Sequence, residues 1–500
     1  MAATTDQRIL SSVNGHQGFG VEGVTPVCTP TDRVKGVRDW GGVMQQEPTA
    51  EVQVLVTDLD RQGRGIARHG GQVLFVEGGL PGDRATVRLL PRRRGQTTAR
   101  LLSVLEPSSQ RRRPPCILAD HCGGCSLQAL SSEGQQQWKQ ALVRQTLQRI
   151  GGLDGPFSPL LTSPNELGYR NRAIIPLERL ADGRLRAGYY RRGSHRIVNM
   201  NHCPVLDPRL DALIAPLKAD LEVRSWPVDR HGGNGGGLRH LALRVGQNTG
   251  ELLITLIAGD DALEGLHEQA QIWMERWPEL VGVTLNLQPR PTNQLFGAHS
   301  RTLAGRDWLH EHFAGLVLQI ASDTFFQVHT AQAERLVPLL ESALPNPSGL
   351  LVDAFCGIGT FSLPMARLGW QVLGLEQHAG AVALAQRNAT LNGLSDHCRF
   401  QCVDVVDGLD AVLPRAQALL LDPPRKGLDP RVLAAIAATP PPHLLYLSCD
   451  PATLARDLRH LCANGYRLMS VQPIDFFPNT SHVETLARLE RVVEECSNKR

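Results

Sequence analysis

The fold is decided by residues 350–361, which read Leu-Leu-Val-Asp-Ala-Phe-Cys-Gly-Ile-Gly-Thr-Phe. A short apolar run that leads into glycines at 357 and 359 indicates a buried parallel strand, a tight turn and then a helix. Glycines allow the backbone to approach a nucleotide-like cofactor closely, so the turn is typical of a cofactor cradle. It would also fit a nicotinamide enzyme, although it lacks the full three-glycine fingerprint of that class.

Three more strand-like segments continue this pattern at 372–376, 400–404 and 418–422. Glu376 ends the first of them, where a carboxylate can accept hydrogen bonds from ribose hydroxyls. Asp422 ends the last and enters a turn that Pro423 and Pro424 make rigid, which points to a methyltransferase. We therefore predict an α/β fold with a Rossmann-like, S-adenosylmethionine-dependent methyltransferase domain.

A cysteine follows the next apolar segment, 444–448, at the carboxyl end of the predicted strand. Uracil C5 is a weak nucleophile, and a thiolate that adds to C6 makes C5 reactive toward a methyl donor. A base must then remove the C5 proton so that the thiolate can leave. Cys449 is the candidate nucleophile and Glu484 the candidate base, although a lone cysteine is usually a buried apolar residue and a lone glutamate a solvated one.

A second group of cysteines suggests a metal centre. Cys116, Cys122 and Cys125 lie close together in the sequence, and Cys203, which a proline follows, is the best fourth ligand. Four thiolates suit either a [4Fe-4S] cluster or an all-thiolate zinc ion, and the uneven spacing is less typical of structural zinc. Four unrelated buried thiols remain an alternative, whereas disulfides are disfavoured because the eleven cysteines are an odd number.

Residues 51–103 alternate short apolar runs with glycine turns, which predicts a small five-stranded barrel of the OB type. The net charge of the whole chain is only +3, yet arginines concentrate here and just beyond. We interpret them as a phosphate-binding face rather than a solvated charge run. They are Arg84, Arg88, Arg92, Arg93, Arg94, Arg100 and Arg111 to Arg113.

Together these motifs resemble the RNA uracil-C5 methyltransferases, which use S-adenosylmethionine to modify 23S ribosomal RNA or transfer RNA. The resemblance covers roughly residues 50–490. It rests on Phe325-Phe326-Gln327-Val328, on residues 353–359 and 422–427, on Ser448-Cys449-Asp450-Pro451 and on His482-Val483-Glu484. The chain departs from the family at His329, where asparagine is common, and at Ala354, where a larger apolar residue is common.

The resemblance implies the following roles. Cys449 would be the nucleophile, Glu484 the base, and Arg425 a contact of the uracil or its enolate. The methyl-donor contacts would be Gln327, Phe355, Glu376 and Asp422, with Asp404 at the adenine. The four cysteines would hold a [4Fe-4S] cluster, and the barrel would be a TRAM domain. The target uridine would be flipped out of its RNA into a pocket beside Cys449.

We therefore expect a flexible tail (1–47), a TRAM-like barrel (48–105), a central β-rich iron–sulfur domain (106–315) and the methyltransferase domain (316–500). A helical part, 126–160, would pack on the catalytic domain. The expected partner is 23S ribosomal RNA, for a monomer without an obligate protein partner. No apolar run reaches the roughly 18 residues of a membrane helix and the start lacks a leader pattern, so we expect no membrane contact and a cytoplasmic protein.

Within the central domain, helical spacing over 133–150 predicts an apolar face of Leu142, Val143, Leu147 and Ile150. Residues 168–172 and 188–195 read as strands with basic turns, and we expect Arg170, Arg172, Arg191 and Arg192 as a group to meet the RNA backbone. The stretch 232–237, all glycine except Asn234, reads as a flexible loop insertion.

Three alternatives remain. The first is a tRNA-directed uracil-C5 methyltransferase, although such relatives typically lack both barrel and cluster. The second is a radical iron–sulfur enzyme, whose Cys-x3-Cys-x2-Cys motif is missing. The third is an RNA-binding iron–sulfur protein without catalysis, which the intact Cys449 and Glu484 argue against.

Overall fold

The computed structural model describes residues 50–92, 95–229, 236–290, 292 and 294–492. The predicted tail 1–47, Arg93, Arg94 and residues 232–235 of the glycine-rich stretch lie outside the described residues. Within the described ranges, no helix combines the length and apolarity that crossing a bilayer requires.

The N-terminal part is a closed five-stranded barrel in the order β1-β2-β3-β5-β4, which confirms the prediction from the glycine-separated runs. Alternate residues point inward, and Val54, Leu74, Val76 and Val87 fill the interior. The strands are β1 (Glu51–Leu59), β2 (Gly65–His69), β3 (Gln72–Glu77), β4 (Arg84–Leu89) and β5 (Thr97–Glu106).

Helix α1 (Ser132–Thr146) begins at Ser131, whose side chain accepts the N–H of Gly134 at 3.1 Å. It continues into one π-helical turn, Leu147–Gly151. Val143 and Leu147 are fully buried as predicted, but Ile150 is 42% exposed and its prediction was wrong. The π-turn contains an extra residue, which rotates the end of the helix away from regular spacing.

The central region contains a six-stranded sheet in the order β11-β10-β9-β8-β6-β7, with two helices on it. Its elements are β6 (Arg172–Arg179), β7 (Leu185–Ala187), α2 (Pro208–Arg224), β8 (Leu238–Val245), β9 (Leu252–Ala258), α3 (Leu266–Arg276), β10 (Leu280–Leu287) and β11 (His299–Gly305). Among the described residues, neither of the expected segments 168–172 and 188–195 forms a strand of its own. Arg172 begins β6, and Arg170, Tyr190 and Arg191 form isolated bridges. Gly168, Gly188 and Gly193 have positive φ there, so the backbone is not extended.

The C-terminal region is a seven-stranded sheet in the order β16-β15-β14-β17-β18-β20-β19, preceded by a hairpin of β12 and β13. The elements are β12 (Trp308–Phe313), β13 (Leu316–Ala321), α4 (Thr330–Ala343), β14 (Leu350–Ala354), α5 (Ser362–Arg367), β15 (Gln371–Glu376), α6 (Ala379–Leu391), β16 (Cys398–Cys402), α7 (Val405–Gly408), β17 (Ala416–Leu421), α8 (Pro430–Ala438), β18 (His443–Ser448), α9 (Pro451–Ala463), β19 (Tyr466–Ile474) and β20 (Glu484–Arg491).

Strands β14 to β18 are parallel, while β20 runs antiparallel to both β18 and β19. The strands predicted around 350–354, 372–376, 400–404, 418–422 and 444–448 are all present. Strand order reverses between β14 and β17, and open α/β sheets bind ligands in the crevice at such a point. Val143 and Leu147 share a core with Leu454 and Leu458 of α9, so α1 packs on this sheet's helical layer.

Candidate active site and cysteine cavity

A cradle lies at the carboxyl ends of β14, β15 and β17. The N–H groups of Phe355 and Cys356 both donate to the carbonyl of Leu375, at 2.9 and 3.1 Å, and Phe355 has a φ of 72°. A left-handed backbone costs a non-glycine residue about 1–2 kcal/mol, and such strain concentrates at functional sites. Glu376 accepts the N–H of Gly357 at 3.2 Å and that of His378 at 2.8 Å, so its carboxylate is fixed at the glycine turn.

The other expected donor contacts border the same edge. Gln327 lies just before α4 and donates to the carboxylate of Asp422 at 3.4 Å. The N–H of Asp422 donates in turn to the carbonyl of Ala354 at 3.4 Å. Asp404 caps α7 by accepting the N–H of Val406 at 3.0 Å, and the adjacent Val403 N–H donates to the Glu376 carbonyl at 2.9 Å. The structure therefore brings Gln327, Phe355, Glu376, Asp404 and Asp422 to one rim of the sheet.

The cradle contains two buried carboxylates, Asp353 and Asp422, that interact with each other. Burial raises the pKa of Asp353 to about 7, although Ser362 donates to it at 2.5 Å. Burial and the neighbouring Asp353 also raise the pKa of Asp422 to about 7. Sequence reasoning did not assign Asp353 to the site, although its place at the end of β14 was a usable signal. Such a cradle favours a cationic ligand, whose charge restores the ionised carboxylates.

Cys449 and Glu484 come from neighbouring antiparallel strands. Ser448 of β18 pairs with Thr485 of β20, so Cys449 and Glu484 follow next along the two strands. Burial raises the pKa of the Cys449 thiol to about 12, Glu484 raises it further and Arg425 opposes them. Burial and Asp422 raise the pKa of Glu484 to about 8, again opposed by Arg425. These four groups therefore interact electrostatically in one site, with Arg425 as the group that favours the thiolate.

His482 is part of this site, although sequence analysis assigned it no role beyond its motif. Arg425 Nη2 lies 3.3 Å from His482 Nε2. Burial and the nearby Arg425 lower the pKa of His482 to about 4, so the ring is neutral near pH 7 and its Nε2 can accept from the guanidinium. The ring also stands edge-on to Phe477, with centroids 5.9 Å apart. His482 thus orients Arg425 beside the Cys449 and Glu484 pair.

All four predicted metal-ligating cysteines line one half-enclosed cavity of about 280 Å³. Backbone N–H groups donate to two of the sulfurs, from Leu118 to Cys116 and from Gly124 to Cys122, both at 3.4 Å. Among the described residues, no three His, Cys, Asp or Glu side chains converge closely enough to hold a single metal ion. The four thiols thus line the cavity without converging on a single position.

The opposite wall of this cavity belongs to the candidate active site. Arg425, Phe477, Thr480 and His482 line it together with the four cysteines. The sequence placed the two groups in separate domains and predicted no contact between them.

Several arginines expected to face RNA have internal partners instead. Arg111 forms an ion pair with the buried Asp83, and Arg112 donates to Asn479 and Glu166. Arg172 donates to the Ser322 carbonyl at 2.8 Å and stabilises the start of β6 rather than presenting its charge. The expectation for Arg172 was wrong because a strand-edge arginine can satisfy backbone carbonyls of a neighbouring loop.

The barrel arginines have weaker, exposed partners. Arg84 pairs with Glu106 at 3.2 Å and Arg88 with Glu51 at 2.7 Å, on the barrel surface. Exposed pairs of this kind contribute little, so phosphates can displace the carboxylates. Arg100 and Arg113 are exposed.

Comparisons with known proteins give the following matches. The model of the tRNA (uracil-5-)-methyltransferase family matches residues 399–492, and that of the TRAM domain matches residues 45–102. A protein of Parasynechococcus marenigrum strain WH8102, named an uncharacterised RNA methyltransferase, is 50% identical over 449 residues, which cover 89% of this chain and 96% of the relative. A Synechocystis protein of the same description is 47% identical, covering 88% and 96%.

Among solved structures, the Pyrococcus abyssi tRNA (uracil-54, C5)-methyltransferase in complex with S-adenosyl-L-homocysteine superimposes with a TM-score of 0.70. The sequences are 24% identical, and the match covers 88% of this chain and all of the Pyrococcus chain. At this identity the likeness shows the shared fold alone.

Proposed function

The chain belongs to the RNA uracil-C5 methyltransferase family with a TRAM domain, and on this premise we propose that it methylates C5 of a uridine in 23S ribosomal RNA. The observation that carries the proposal is the joint placement of Cys449, Glu484, Asp422 and Arg425 at the sheet edge. Carbon methylation needs both a thiol and a base, whereas amine methylation needs no thiol.

The donor cradle suits S-adenosylmethionine, which supplies an electrophilic methyl group on a cationic sulfur. Gln327, Phe355, Glu376, Asp404 and Asp422 would hold it. The buried Asp353 and Asp422 favour a cation, as their raised pKa values indicate. The reacting methyl group would lie on the side of the cradle nearest Asp422, since that residue interacts with both Cys449 and Glu484.

Each side chain then has a defined part in the reaction. The Cys449 thiol loses its proton to solvent, and the thiolate adds to C6 of the flipped uracil. The electron pair of the C5–C6 double bond shifts toward the C4 carbonyl, which makes the ring an enolate. Arg425, oriented by the neutral His482, stabilises that negative charge. C5 takes the methyl group, Glu484 removes the C5 proton, and the returning electron pair expels the Cys449 sulfur from C6. A carboxylate with a pKa of about 8 is a stronger base than an ordinary glutamate.

We also propose that Cys116, Cys122, Cys125 and Cys203 hold a [4Fe-4S] cluster. Sulfur atoms bound to one tetrahedral zinc ion lie within about 4 Å of each other, as Zn–S bonds of about 2.3 Å require. The four thiols line one cavity of about 280 Å³, and thiols spaced around such a cavity suit a multi-atom cluster. The N–H donors to Cys116 and Cys122 are of the kind that tune cluster sulfurs. Uracil methylation needs no electron transfer, so the cluster's part would be structural or RNA-shaping.

The choice of 23S ribosomal RNA rests on the combination of barrel and cysteine quartet, which marks the ribosomal branch of the resembling family. The tRNA-directed alternative is favoured by one observation. The Pyrococcus enzyme, which acts on uracil 54 of tRNA, shares the fold over 88% of this chain. The fold shared with that enzyme does not by itself separate the two substrates, and substrate assays must do so.

The role assignment is tested by substituting each catalytic residue and looking for a covalent complex on denaturing gels. Cys449→Ala should give neither adduct nor product, whereas Glu484→Gln should methylate and then accumulate a denaturation-resistant RNA complex. Cys462→Ala and Glu490→Gln, on α9 and β20 outside the site, serve as matched controls. Adduct-free inactivity in both catalytic variants would contradict the assignment.

A further inference from the structure

The loop between β19 and β20, residues 475–483, leads directly into the candidate base Glu484. A loop that only connected two antiparallel strands would have few external contacts. This one is bound by other parts of the chain at nearly every position. The Asp475 carboxylate and the Phe477 carbonyl both accept from Lys139 of α1, at 2.7 and 2.9 Å.

Two aromatic residues hold the next part of the loop. His329 Nδ1 lies 3.3 Å from the Phe476 carbonyl, and the Tyr169 hydroxyl donates to the Pro478 carbonyl at 3.1 Å. The two rings stack on each other with centroids 4.8 Å apart, and both are buried. His329 and Tyr169 therefore hold the loop in place without reaching the reacting atoms.

Asn479 is the centre of these contacts. It is fully buried and has a φ of 68°, a left-handed conformation that asparagine tolerates better than alanine and most other residues do. Its Oδ1 accepts from Arg112 at 2.8 Å and from Gln135 at 3.3 Å, and its Nδ2 donates to the Glu166 carbonyl at 2.9 Å. Its backbone N–H donates to Gln135 Oε1 at 2.7 Å. Strain of this kind persists only where the surroundings over-determine the conformation.

The cysteine segment supplies the remaining contacts. The N–H of Leu127 donates to the Asn479 carbonyl at 2.9 Å, and Ser126 Oγ accepts the N–H of Ser481 at 3.0 Å. Ser126 directly follows the cavity-lining Cys125. A displacement of the cysteine segment therefore moves the loop that carries His482 and Glu484.

We propose that Asn479 is a positioning residue that couples the cysteine segment to the catalytic base, and that this coupling sets the rate of C5 proton removal and product release. The inference rests on the proposed function. On this proposal Glu484 is aligned by β20 together with the buried hydrogen bonds that Asn479 makes, which we call the clamp. Loosening the clamp should slow the step that uses Glu484 more than the step that uses Cys449. The loop leads directly into Glu484, whereas Cys449 follows β18 and depends on the loop only through the contact of His482 with Arg425.

The test is a comparison of Asn479→Ala, Asn479→Gly and Ser126→Ala in the full chain. Single-turnover assays on C5-tritiated RNA separate the rate of adduct formation from the rate of tritium release. For Asn479→Ala we expect tritium release to slow by about tenfold or more, because several buried hydrogen bonds are lost, while adduct formation changes by less than about threefold. Asn479→Gly keeps the left-handed backbone and should have a smaller effect, and Ser126→Ala, which removes one bond, the smallest.

Ser225→Ala is the matched control, because Ser225 also has a positive φ, 56°, but lies exposed at the end of α2. Equal slowing of adduct formation and tritium release in the Asn479 variants would overturn the proposal, and so would no slowing of either. Amide hydrogen exchange of residues 475–484 gives a readout that is independent of activity. Exchange should rise in Asn479→Ala and Ser126→Ala, and unchanged exchange would overturn the clamp. Absence of any adduct with the wild-type enzyme would instead overturn the proposed function.

Discussion

Replacement of Lys139 by methionine should strongly destabilise the protein. The Lys139 side chain is fully buried, Asp475 is 5% exposed on its side chain, and Nζ lies 2.7 Å from the carboxylate. Lys139→Met retains most of the aliphatic volume but leaves Asp475 as a buried carboxylate without a cation and the Phe477 carbonyl without its donor. Removal of one partner from a buried ion pair costs about 3–5 kcal/mol of unfolding free energy.

The double variant Lys139→Met/Asp475→Asn isolates the charge effect, since it removes both ions. We expect it to lose about 1–2 kcal/mol, less than Lys139→Met alone, so that the two substitutions are strongly coupled in a double-mutant cycle. Lys218→Met is the control, because Lys218 is only half-buried and donates to Asn199 and Asn201 without a carboxylate partner.

The assay is equilibrium urea unfolding followed by tryptophan fluorescence and far-UV circular dichroism. Free energies are compared only where the two transitions coincide, as two-state analysis requires. A loss below about 1 kcal/mol in Lys139→Met, or a double variant as unstable as the sum of the two single variants, would refute the reasoning.

Three further predictions concern charge and metal. Affinity for S-adenosylmethionine should fall as pH falls through about 7, because protonation of Asp353 and Asp422 removes the negative charge that favours a cation. Calorimetry in buffers of different ionisation enthalpy should show proton release on binding at about pH 6.5. An affinity that does not change between about pH 6 and 8 would contradict this prediction. The rate of tritium release in single turnovers should rise about tenfold per pH unit below about pH 8 and level off above it, because Glu484 acts only when it is ionised. The Glu484→Gln variant should lose this pH dependence. Cys203→Ser, purified anaerobically, should contain markedly less iron and sulfide and absorb less near 400 nm than a Cys402→Ser control; equal cluster content would exclude Cys203 as a ligand.

The sequence predicted the parts of the fold that local patterns encode. Strands β14, β15, β17 and β18 are short, largely apolar runs that lie where the pattern placed them, and β16 begins two residues earlier than predicted. Candidate residues at those ends, such as Glu376 and Asp422, come together because parallel strands share one carboxyl edge.

What the sequence did not predict depends on contacts between distant segments. Lys139 and Asp475 pair although 336 residues separate them in the sequence, and nothing near either residue reveals the other. The same holds for Arg112, whose position in a basic run suggested RNA binding, whereas the structure joins it to Asn479. Hydrophobic periodicity also gave no sign of the π-turn that exposes Ile150.

The central claim is tested most directly by tritium release from C5-tritiated uridine, with anaerobically purified protein, S-adenosylmethionine and either unmodified 23S ribosomal RNA or unmodified transfer RNA. We predict release from the ribosomal RNA with the wild-type protein and none with Cys449→Ala. Release from transfer RNA alone would move the substrate to the alternative. Release from neither RNA, although the methyl donor binds, would contradict uracil-C5 methylation of these RNAs.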